Sequence, residues 1–393
     1  MQRRLKEVVN KLRSYPLSRD VETEEITGYK YIHYGDIHKQ VADIVTNDDL
    51  LPNIKNVDYI PIEQGDLVLA DASEDYSGIA EPCVILHKPK KKIIAGLHTI
   101  AIRPINTNPM YLYYLLHTEE FKKFGSYVGT GLKVFGITFN NFAKYETKMP
   151  MLPEQTSIGN FFHTLDKIVD LYKRKVENLK LLKKAYLQQM FPQEGEAVPK
   201  VRFSGFKGDW EKVTLNEMLV ERNEQIEESD KYPLMSFVGN EGVVPKGEQY
   251  DRSFLVKDVN KKYKKTELND FIYSSNNLET GSIGFNRTGS AVISPVYSIF
   301  YSINASESQF VGLLSNREDF INRMIHYRQG VMYGQWRIHE KDFLQIVVLS
   351  PSIMEQNSII QFFHDFDKQI AAQTKKHEQL KQLKSAYLQK MFI

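Results

Sequence analysis

The chain has 393 residues, a hydrophobic fraction of 42% and a formal net charge of +2. This length and apolar content predict two or three packed domains, and with so small a net charge any affinity for nucleic acid has to come from local patches. The single cysteine, Cys83, excludes an intrachain disulfide and a cysteine-rich zinc site. No apolar run approaches the roughly 18 residues of a membrane span, and the start "MQRRLKEVVNKLRS" is too charged for a signal peptide, so we expect a cytoplasmic protein.

Residues 1–150 predict an α+β domain, which we call the first body. Short β-branched or aromatic runs alternate there with turn residues, as in "YKYIHYGDI" (29–37), "GDLVLA" (65–70) and "KKIIAGLHTIAI" (91–102). The segment "NPMYLYYLLHTEEFKKFG" (108–125) has apolar residues at three- and four-residue spacing and predicts helix. We therefore expect a mostly β part closed by helices.

Two segments of the first body have a composition that suits nucleic acid. "KPKKK" (88–92) is cationic and is expected in a turn-like stretch, where lysines can contact phosphates without reading sequence. "YVGTGLKVFG" (127–136) combines glycines, which allow close approach to a partner, with a cation and aromatics. The candidate DNA-binding residues are Lys88, Lys90, Lys91, Lys92, Thr130 and Lys133. The alternative for the lysine segment is a solvated loop.

Residues 151–192 predict one long helix with a heptad seam. Its seam consists of apolar residues that recur on one face, with Lys183 as the polar interruption: Ile158, Phe162, Leu165, Val169, Tyr172, Val176, Leu179, Tyr186 and Met190. A stripe of this period is typical of a helix that pairs with another helix. The alternative is a solvated helix packed along one body.

Residues 193–207, rich in Pro, Gly and charge, predict a linker, and residues 208–350 predict a second α+β domain, the second body. Strand-like runs include "NDFIYSS" (269–275) and "AVISPVYSIFYSI" (291–303), and "SESQFVGLLSNREDFINRMIH" (306–326) predicts helix. The basic segment "KKYKK" (261–265) is expected in a turn-like stretch between strands.

The segment "YRQGVMYGQWR" (327–337) closes the second body and combines glycines with cations, amides and aromatics. Arg pairs bidentately with guanine and Gln with adenine in the major groove, so base-reading side chains are expected here. Trp336 and Tyr333 are equally compatible with a place in the core. The candidate DNA-binding residues of the second body are Lys261, Lys262, Lys264, Lys265, Arg287, Arg328, Gln329, Tyr333, Gln335 and Arg337.

Residues 351–393 repeat the first long helix at an offset of 201 residues. Between 154–191 and 355–392, 21 of 38 positions are identical. The equivalent seam consists of Ile359, Phe363, Phe366, Ile370, Leu380, Tyr387 and Met391, with Gln373, His377 and Lys384 as polar members. Two matching seams in one chain predict mutual pairing. Because about 160 residues separate them, an antiparallel pair is the simplest geometry.

Motifs of common enzyme classes are missing from the sequence. It contains no G-x-x-x-x-G-K-[ST] phosphate loop, no Pro-Pro of an amino-methyltransferase motif and no histidines at metal-ligand spacing. "GSYVGTG" (125–131) follows a helical stretch, which does not fit a dinucleotide fingerprint. We therefore expect a non-catalytic chain that binds neither a metal nor a cofactor itself.

The helices and linker carry a resemblance to a known family. The segments "LPEQTSIGNFFHTLDKIVDLYKRKVENLKLLKKAYLQQMFP" (152–192) and "VPKVRFSGFKGDW" (198–210), between two divergent bodies, resemble the specificity subunit of type I restriction–modification systems. The resemblance implies an α+β fold in which two globular target recognition domains of mixed β/α structure alternate with two long helices. It also implies that the helices pair as an antiparallel coiled coil, in a pseudo-two-fold internal repeat.

The resemblance further implies partners and a function. Such a subunit joins two adenine-N6 methyltransferase subunits, which bind S-adenosylmethionine and flip the target base. Endonuclease/translocase subunits, which use ATP and Mg, complete the assembly. Each body would read one half of a split, asymmetric site in double-stranded DNA, and the helices would set the length of the spacer between the halves.

Two other classes of protein stay open on the residues alone. A non-catalytic coiled-coil scaffold that presents two peptide- or sugar-binding modules would show no salt-dependent affinity for DNA. An enzyme with the methyltransferase built in would need the catalytic motif that is missing here, and would bind S-adenosylmethionine without a partner.

Overall fold

The computed structural model describes residues 2–75, 78–131, 134–239, 241–245, 261–278, 281–304, 306–330 and 336–392. The chain forms two compact units. Unit 1 consists of residues 1–174 and 374–393, and unit 2 consists of residues 175–373. Each unit therefore contains one body together with parts of both long helices.

Unit 1 has a five-stranded sheet at its centre. Its strands are β1 Gln2–Arg4, β2 Val9–Lys11, β3 Tyr29–Ile32, β4 Ile44–Val45, β5 Leu67–Ala70, β6 Ala72–Ser73, β7 Pro82–Ile85, β8 Lys92–Ala95, β9 Thr99–Pro104, β10 Phe135–Gly136 and β11 Glu146–Lys148. Its helices are α1 Tyr34–His38, α2 Pro109–Leu115, α3 Glu119–Val128, α4 Phe139–Phe142 and the first part of α5 Leu152–Gln189, with 3-10 turns at Leu5–Glu7, Arg19–Val21 and Asp48–Leu50. The sheet has the order β2-β9-β5-β7-β4, and β3 pairs in parallel with β8.

The main core of unit 1 joins this sheet to the helices. Leu67 and Leu69 of β5 belong to one buried cluster with Tyr111 of α2, Phe121 of α3 and Phe162 of α5. Side-chain caps set the helix starts, since Asn108 accepts a hydrogen bond from the backbone N–H of Tyr111 at 3.0 Å. Burial of each large apolar side chain stabilises the unit by about 1.5–3 kcal/mol.

Unit 2 contains a four-stranded and a three-stranded sheet. Its strands are β12 Glu211–Thr214, β13 Leu219–Glu221, β14 Gln225–Ile226, β15 Met235–Val238, β16 Gly242–Pro245, β17 Tyr263–Thr266, β18 Phe271–Tyr273, β19 Ile283–Phe285, β20 Ala291–Ile293, β21 Ser298–Ser302, β22 Gln329–Gly330, β23 Trp336–Arg337 and β24 Val347–Ser350. Its helices are α6 Glu307–Leu314, α7 Glu318–His326, α8 Glu340–Leu344 and the first part of α9 Ile353–Met391, with a 3-10 turn at Leu215–Glu217. The sheet orders are β13-β21-β18-β19 and β14-β17-β20.

Aromatic rings dominate the core of unit 2. Phe271 stacks on Phe343 with ring centroids 5.5 Å apart, and Phe300 lies 4.8 Å from Phe343. Phe191, two residues beyond the end of the first long helix, packs on Trp210 at 5.9 Å. Both units thus have the α+β composition that the sequence predicts.

Two local predictions were wrong. "YKYIHYGDI" (29–37) is a strand only as far as Ile32, because His33 caps a helix: its ring Nδ1 accepts from Gly35 N–H, and the Asp36 carboxylate accepts from His33 N–H. "KKYKK" (261–265) is not a turn-like stretch. Its last three residues lie in strand β17, which is paired on both sides.

In unit 1 the start of α5 packs against the end of α9. Phe161 meets Tyr387 edge to face at 5.3 Å, and Phe162 lies 5.8 Å from Phe392. The Asp166 carboxylate forms an ion pair with Lys384. Phe162 contacts Phe392, whereas Asp166, four residues later, contacts Lys384, eight residues earlier, so the two segments run antiparallel.

In unit 2 the end of α5 packs against the start of α9 in the same way. Tyr186 meets Phe362 edge to face at 5.1 Å, and Phe191 lies 6.4 Å from Phe363. The Lys183 ammonium lies 2.5 Å from the Asp367 carboxylate. The predicted antiparallel pairing is therefore confirmed within each unit.

These contacts are related by the 201-residue repeat. Phe161 and Tyr387 become Phe362 and Tyr186, and the ion pair of Lys384 with Asp166 becomes that of Lys183 with Asp367. The seam lysines Lys183 and Lys384 thus each have a partner on the opposing helix. Of the named apolar seam residues, Tyr387 and Met391 are 38% and 37% exposed, and the others are buried or half-buried.

Candidate nucleic-acid interface

The lysine loop, residues 88–92 between β7 and β8, is anchored from below by Asp48. This carboxylate accepts hydrogen bonds from the backbone N–H groups of Lys90 and Lys91 at 2.7 and 2.9 Å, and also pairs with His87. Burial opposes ionisation of Asp48, but these donors hold its pKa below the usual range. The loop is therefore held in shape by a group that lies beneath it.

The lysines of this loop are not equivalent. The Lys91 ammonium lies 2.7 Å from the Asp49 carboxylate, and Lys92 donates to the Tyr29 hydroxyl at 3.0 Å. Lys88 and Lys90 are exposed, and within the described residues their ammonium groups take part in no recorded ion pair. Lys88 and Lys90 are thus the members of the loop that can meet a phosphate at the smallest cost.

In the glycine-rich segment of the first body (127–136), Thr130 and Gly136 pair with each other. Thr130 is exposed, and its backbone exchanges hydrogen bonds of 2.9 and 2.8 Å with Gly136. Gly131 has a φ of +133°, and a Cβ there would lie 1.9 Å from the Val134 carbonyl oxygen, so only glycine fits. Lys133, a predicted DNA contact, lies outside the described residues.

Sequence reasoning missed two polar residues beside this glycine-rich segment, Asp71 and His98. Asp71 accepts a hydrogen bond from Ile137 N–H at 2.8 Å, and its carboxylate lies 3.3 Å from the ring of His98. The His98 ring in turn meets Tyr34 edge to face at 5.4 Å. The one unusual feature of His98 is a φ of +53°, which nothing in the sequence predicts.

In the second body the four lysines of residues 261–265 have different surroundings. Lys261 and Lys262 are exposed. Lys265 lies 3.0 Å from the Glu224 carboxylate, and this hydrogen bond raises the pKa of the ammonium group. The Lys264 side chain is only 8% exposed and lies 3.9 Å from Glu340, so it points inward and is poorly placed for a phosphate.

Strands β22 and β23 form a short hairpin on the surface of unit 2. Gln329 pairs with Arg337 across it, and the Gln329 amide donates to Asp342 at 3.1 Å. Trp336 is 50% exposed, so it is not a core aromatic. Arg328, just before β22, is half-buried. Tyr333 and Gln335, two further predicted contacts, lie outside the described residues.

A cleft of about 610 Å³, which we call the polar cleft, lies beside this hairpin. Its lining consists of Glu221, Asn223, Gln225, Lys264, Pro295, Arg337, His339, Glu340, Lys341 and Asp342. Gln225 of β14 is the register partner of Lys264 of β17. The structure therefore brings together two predicted residues that are far apart in sequence, Lys264 and Arg337.

Arg287 is positioned differently from the other predicted contacts. Its guanidinium lies 3.3 Å from the Asp367 carboxylate of α9, and it stacks over the Phe285 ring at 4.1 Å. Asp367 also receives Lys183 of α5. Arg287 therefore ties the second body to the long helices.

The fold is that of type I restriction–modification specificity subunits. The chain is similar over 100% of its length to the S subunit of a type I restriction–modification system from M. genitalium, with 14% identity, 96% of that chain covered and a TM-score of 0.58. The chain is also similar, again over 100% of its length, to a structure from a study of the assembly and conformational transition of the type I R-M system. The identity is 18%, 97% of that chain is covered and the TM-score is 0.55. For the HsdS subunit from Thermoanaerobacter tengcongensis, the identity is 17%, 96% of that chain is covered and the TM-score is 0.50.

Residues 1–181 match the family model described as type I restriction modification DNA specificity domain. This matched segment contains the first body and most of the first long helix. No curated protein sequence matches the chain significantly.

Among the described residues, none of the helices combines the length and apolar character needed to cross a membrane. The same residues contain no group of three or more His, Cys, Asp or Glu side chains placed to hold a metal ion.

Proposed function

We propose that this chain is the DNA-recognition subunit of a type I restriction–modification complex. Each body reads one half of a bipartite, asymmetric site in double-stranded DNA. The observation that carries the proposal is the repeat: equivalent helix contacts recur in both units, whereas the two bodies share little sequence identity. A shared scaffold with unlike bodies suits one structural task and two recognition tasks.

The long helices have two further roles in this proposal. They set the spacer between the half-sites, and they dock two adenine-N6 methyltransferase subunits, through which the endonuclease/translocase subunits join. S-adenosylmethionine, ATP and Mg bind to those partners, and this chain contributes recognition without catalysis. The complex works in the cytoplasm of a bacterium or archaeon.

Binding energy and sequence reading come from different residues. Lys88 and Lys90 in unit 1, and Lys261 and Lys262 in unit 2, are exposed cations that suit phosphates, whose contacts position a protein without reading bases. Sequence reading needs paired donors and acceptors, which in unit 2 line the polar cleft.

The proposal is tested by co-expressing the chain with its candidate methyltransferase and mapping modified adenines across the genome. A two-part motif with a constant gap is the expected result. Methylation of a continuous, ungapped motif would contradict the proposal, and methylation without any motif would remove DNA recognition from this chain.

The spacer role has its own test. Seven residues inserted after Arg174 and after Lys375 preserve the heptad phase of both helices and lengthen each by about 10 Å. The gap in the methylated motif should grow by about three base pairs at 3.4 Å each. Insertion into one helix only is the control, since it disrupts the pairing without lengthening both helices.

A further inference from the structure

The charge balance of the polar cleft distinguishes it from a phosphate site. Three carboxylates line it, Glu221, Glu340 and Asp342, and three cations face them, Lys264, Arg337 and Lys341. The formal charges of these six side chains therefore cancel. A phosphate-binding surface gains its affinity from excess positive charge. This cleft lacks that excess and is instead rich in paired donors and acceptors.

One residue of the cleft lining, Glu340, is held in place by its hydrogen-bond and charge partners. Glu340 is half-buried, accepts a hydrogen bond from the Ser298 hydroxyl at 2.8 Å and lies 3.9 Å from the Lys264 ammonium. The same carboxylate lies 3.6 Å from the guanidinium of Arg337, whose side chain is 55% exposed. Glu340 thus restrains the arginine while leaving most of its donors free for a ligand.

The backbone on both sides of Arg337 is fixed as well. Ile338 is fully buried, and its N–H donates to the Ser275 hydroxyl at 3.0 Å while its carbonyl accepts from the Tyr273 hydroxyl at 3.3 Å. Trp336 N–H donates to the Asn276 side chain at 2.6 Å. These bonds fix the backbone from which the Arg337 side chain projects.

We propose that the polar cleft reads base edges in the major groove of one half of the DNA site. Arg337 reads a guanine through its two-pronged guanidinium, and the exposed amides of Asn223 and Gln225, which also line the cleft, read a neighbouring adenine. This inference rests on the proposed function, because it assigns sequence reading to one place in the second body. It also assigns Glu340 as a positioning residue for Arg337.

The experiment uses the full chain co-expressed with its methyltransferase subunits, and a pool of randomised duplex DNA from which bound sequences are selected. Arg337→Lys keeps the charge but loses the bidentate fork. It should reduce discrimination at one guanine position by about five- to a hundredfold, while affinity for non-selected DNA and its salt dependence stay unchanged. Asn223→Ala and Gln225→Ala, both at exposed positions, should relax an adjacent adenine position.

Lys262→Ala is the matched control, since it removes a charge from an exposed position of the same body. It should weaken binding to all sequences alike and preserve the selected motif. The inference is overturned if Arg337→Lys keeps the full motif, or if the cleft variants lose affinity for every sequence equally. If the unaltered complex selects no motif at all, the proposed function itself fails. Thermal unfolding of each variant shows whether it is folded.

Discussion

The two units differ at equivalent points where a body meets the long helices. In unit 1 the Asp166 carboxylate receives Lys384 from the opposing helix and the Tyr114 hydroxyl from the first body, at 2.7 Å. In unit 2 the repeat-related Asp367 receives Lys183 from the opposing helix but Arg287 from the second body. The helix partner is the same in both units, and the body partner changes from a neutral phenol to a cation.

This difference shows that the repeat preserves the contacts between the long helices and not the contacts between a body and a helix. The lysine–aspartate contact between the long helices appears twice with the same residue types. A contact between a body and a helix appears once, and any group that satisfies the aspartate serves. The helices therefore keep matching pairs, whereas each body attaches with its own side chain.

The largest effect should come from the aromatic contacts that both units share. Phe162→Ala and Phe363→Ala each remove a buried ring and should lower the free energy of unfolding by about 3–5 kcal/mol, measured by chemical denaturation. Phe161→Ala is the control, because that ring is 40% exposed and should cost less. A loss below about 1 kcal/mol in either buried variant would end the equivalence of the two contacts.

Acid should lower the stability of unit 1 through protonation of Glu81. Burial opposes ionisation of this carboxylate, but hydrogen bonds from His117 and Lys122 hold its pKa at about 2. A lowered carboxylate pKa stabilises the fold above the unfolded value near 4.5, and this contribution is lost as pH falls toward 2. It amounts to about 3 kcal/mol at neutral pH.

Glu81→Gln tests this prediction. The stability difference between the unaltered chain and the variant should narrow steadily between about pH 5 and pH 2, as measured by denaturant titration at each pH. A difference that does not depend on pH would show that the carboxylate contributes through packing.

Substitutions of Asp166 and Asp367, the aspartates that anchor the bodies to the helices, should have a smaller effect on stability, and the effect should differ between the two units. Asp166→Asn and Asp367→Asn each weaken a charge-assisted pair and should cost about 1–2 kcal/mol. A double-mutant cycle of Asp367→Ala with Arg287→Ala should give a larger coupling energy than Asp166→Ala with Tyr114→Phe, and the coupling should weaken in high salt. Equal coupling in both cycles would contradict the contrast between the two anchors.

The smallest effect should come from the lysine loop. Lys88→Ala with Lys90→Ala removes two exposed cations and should reduce the slope of log affinity against log salt by about 1.8. The selected DNA motif should be unchanged, in contrast to the cleft variants. Lys91→Ala is the control, because this ammonium is already paired with Asp49 and should change the slope less.

Much of the scaffold could be predicted from the sequence, because helix pairing depends on a local period. The heptad spacing and the 201-residue offset predict two paired helices, and the structure confirms both helices and their antiparallel direction. The same reasoning failed for "KKYKK" (261–265). A run of lysines looks solvent-exposed in sequence, but strand pairing turns the side chain of Lys264 inward, toward Glu340.

The candidate site could be predicted only in part. The segment that contains Arg337 attracts attention through its glycines, amides and aromatics, yet Asn223 and Gln225 carry no signal of their own. They join the polar cleft because β14 pairs with β17, and the partner of a strand cannot be inferred from its own residues. His98 escaped notice for a similar reason, since its left-handed backbone conformation exists only in the folded chain.

By itself, the sequence determined the repeat, the two long helices and the family resemblance, because all three are carried by residues at regular or short separations. The tertiary structure alone decided which charges are available to a partner. Exposure, ion pairing and cross-strand neighbours depend on contacts between residues distant along the chain. For that reason six side chains that carry the same charge in the sequence have different surroundings in the fold. Lys88 and Lys90 are exposed without an ion pair to any described residue, Lys91 is paired with Asp49, and Lys264 is buried. Arg287 anchors the second body to α9, and Arg337 is positioned by Glu340.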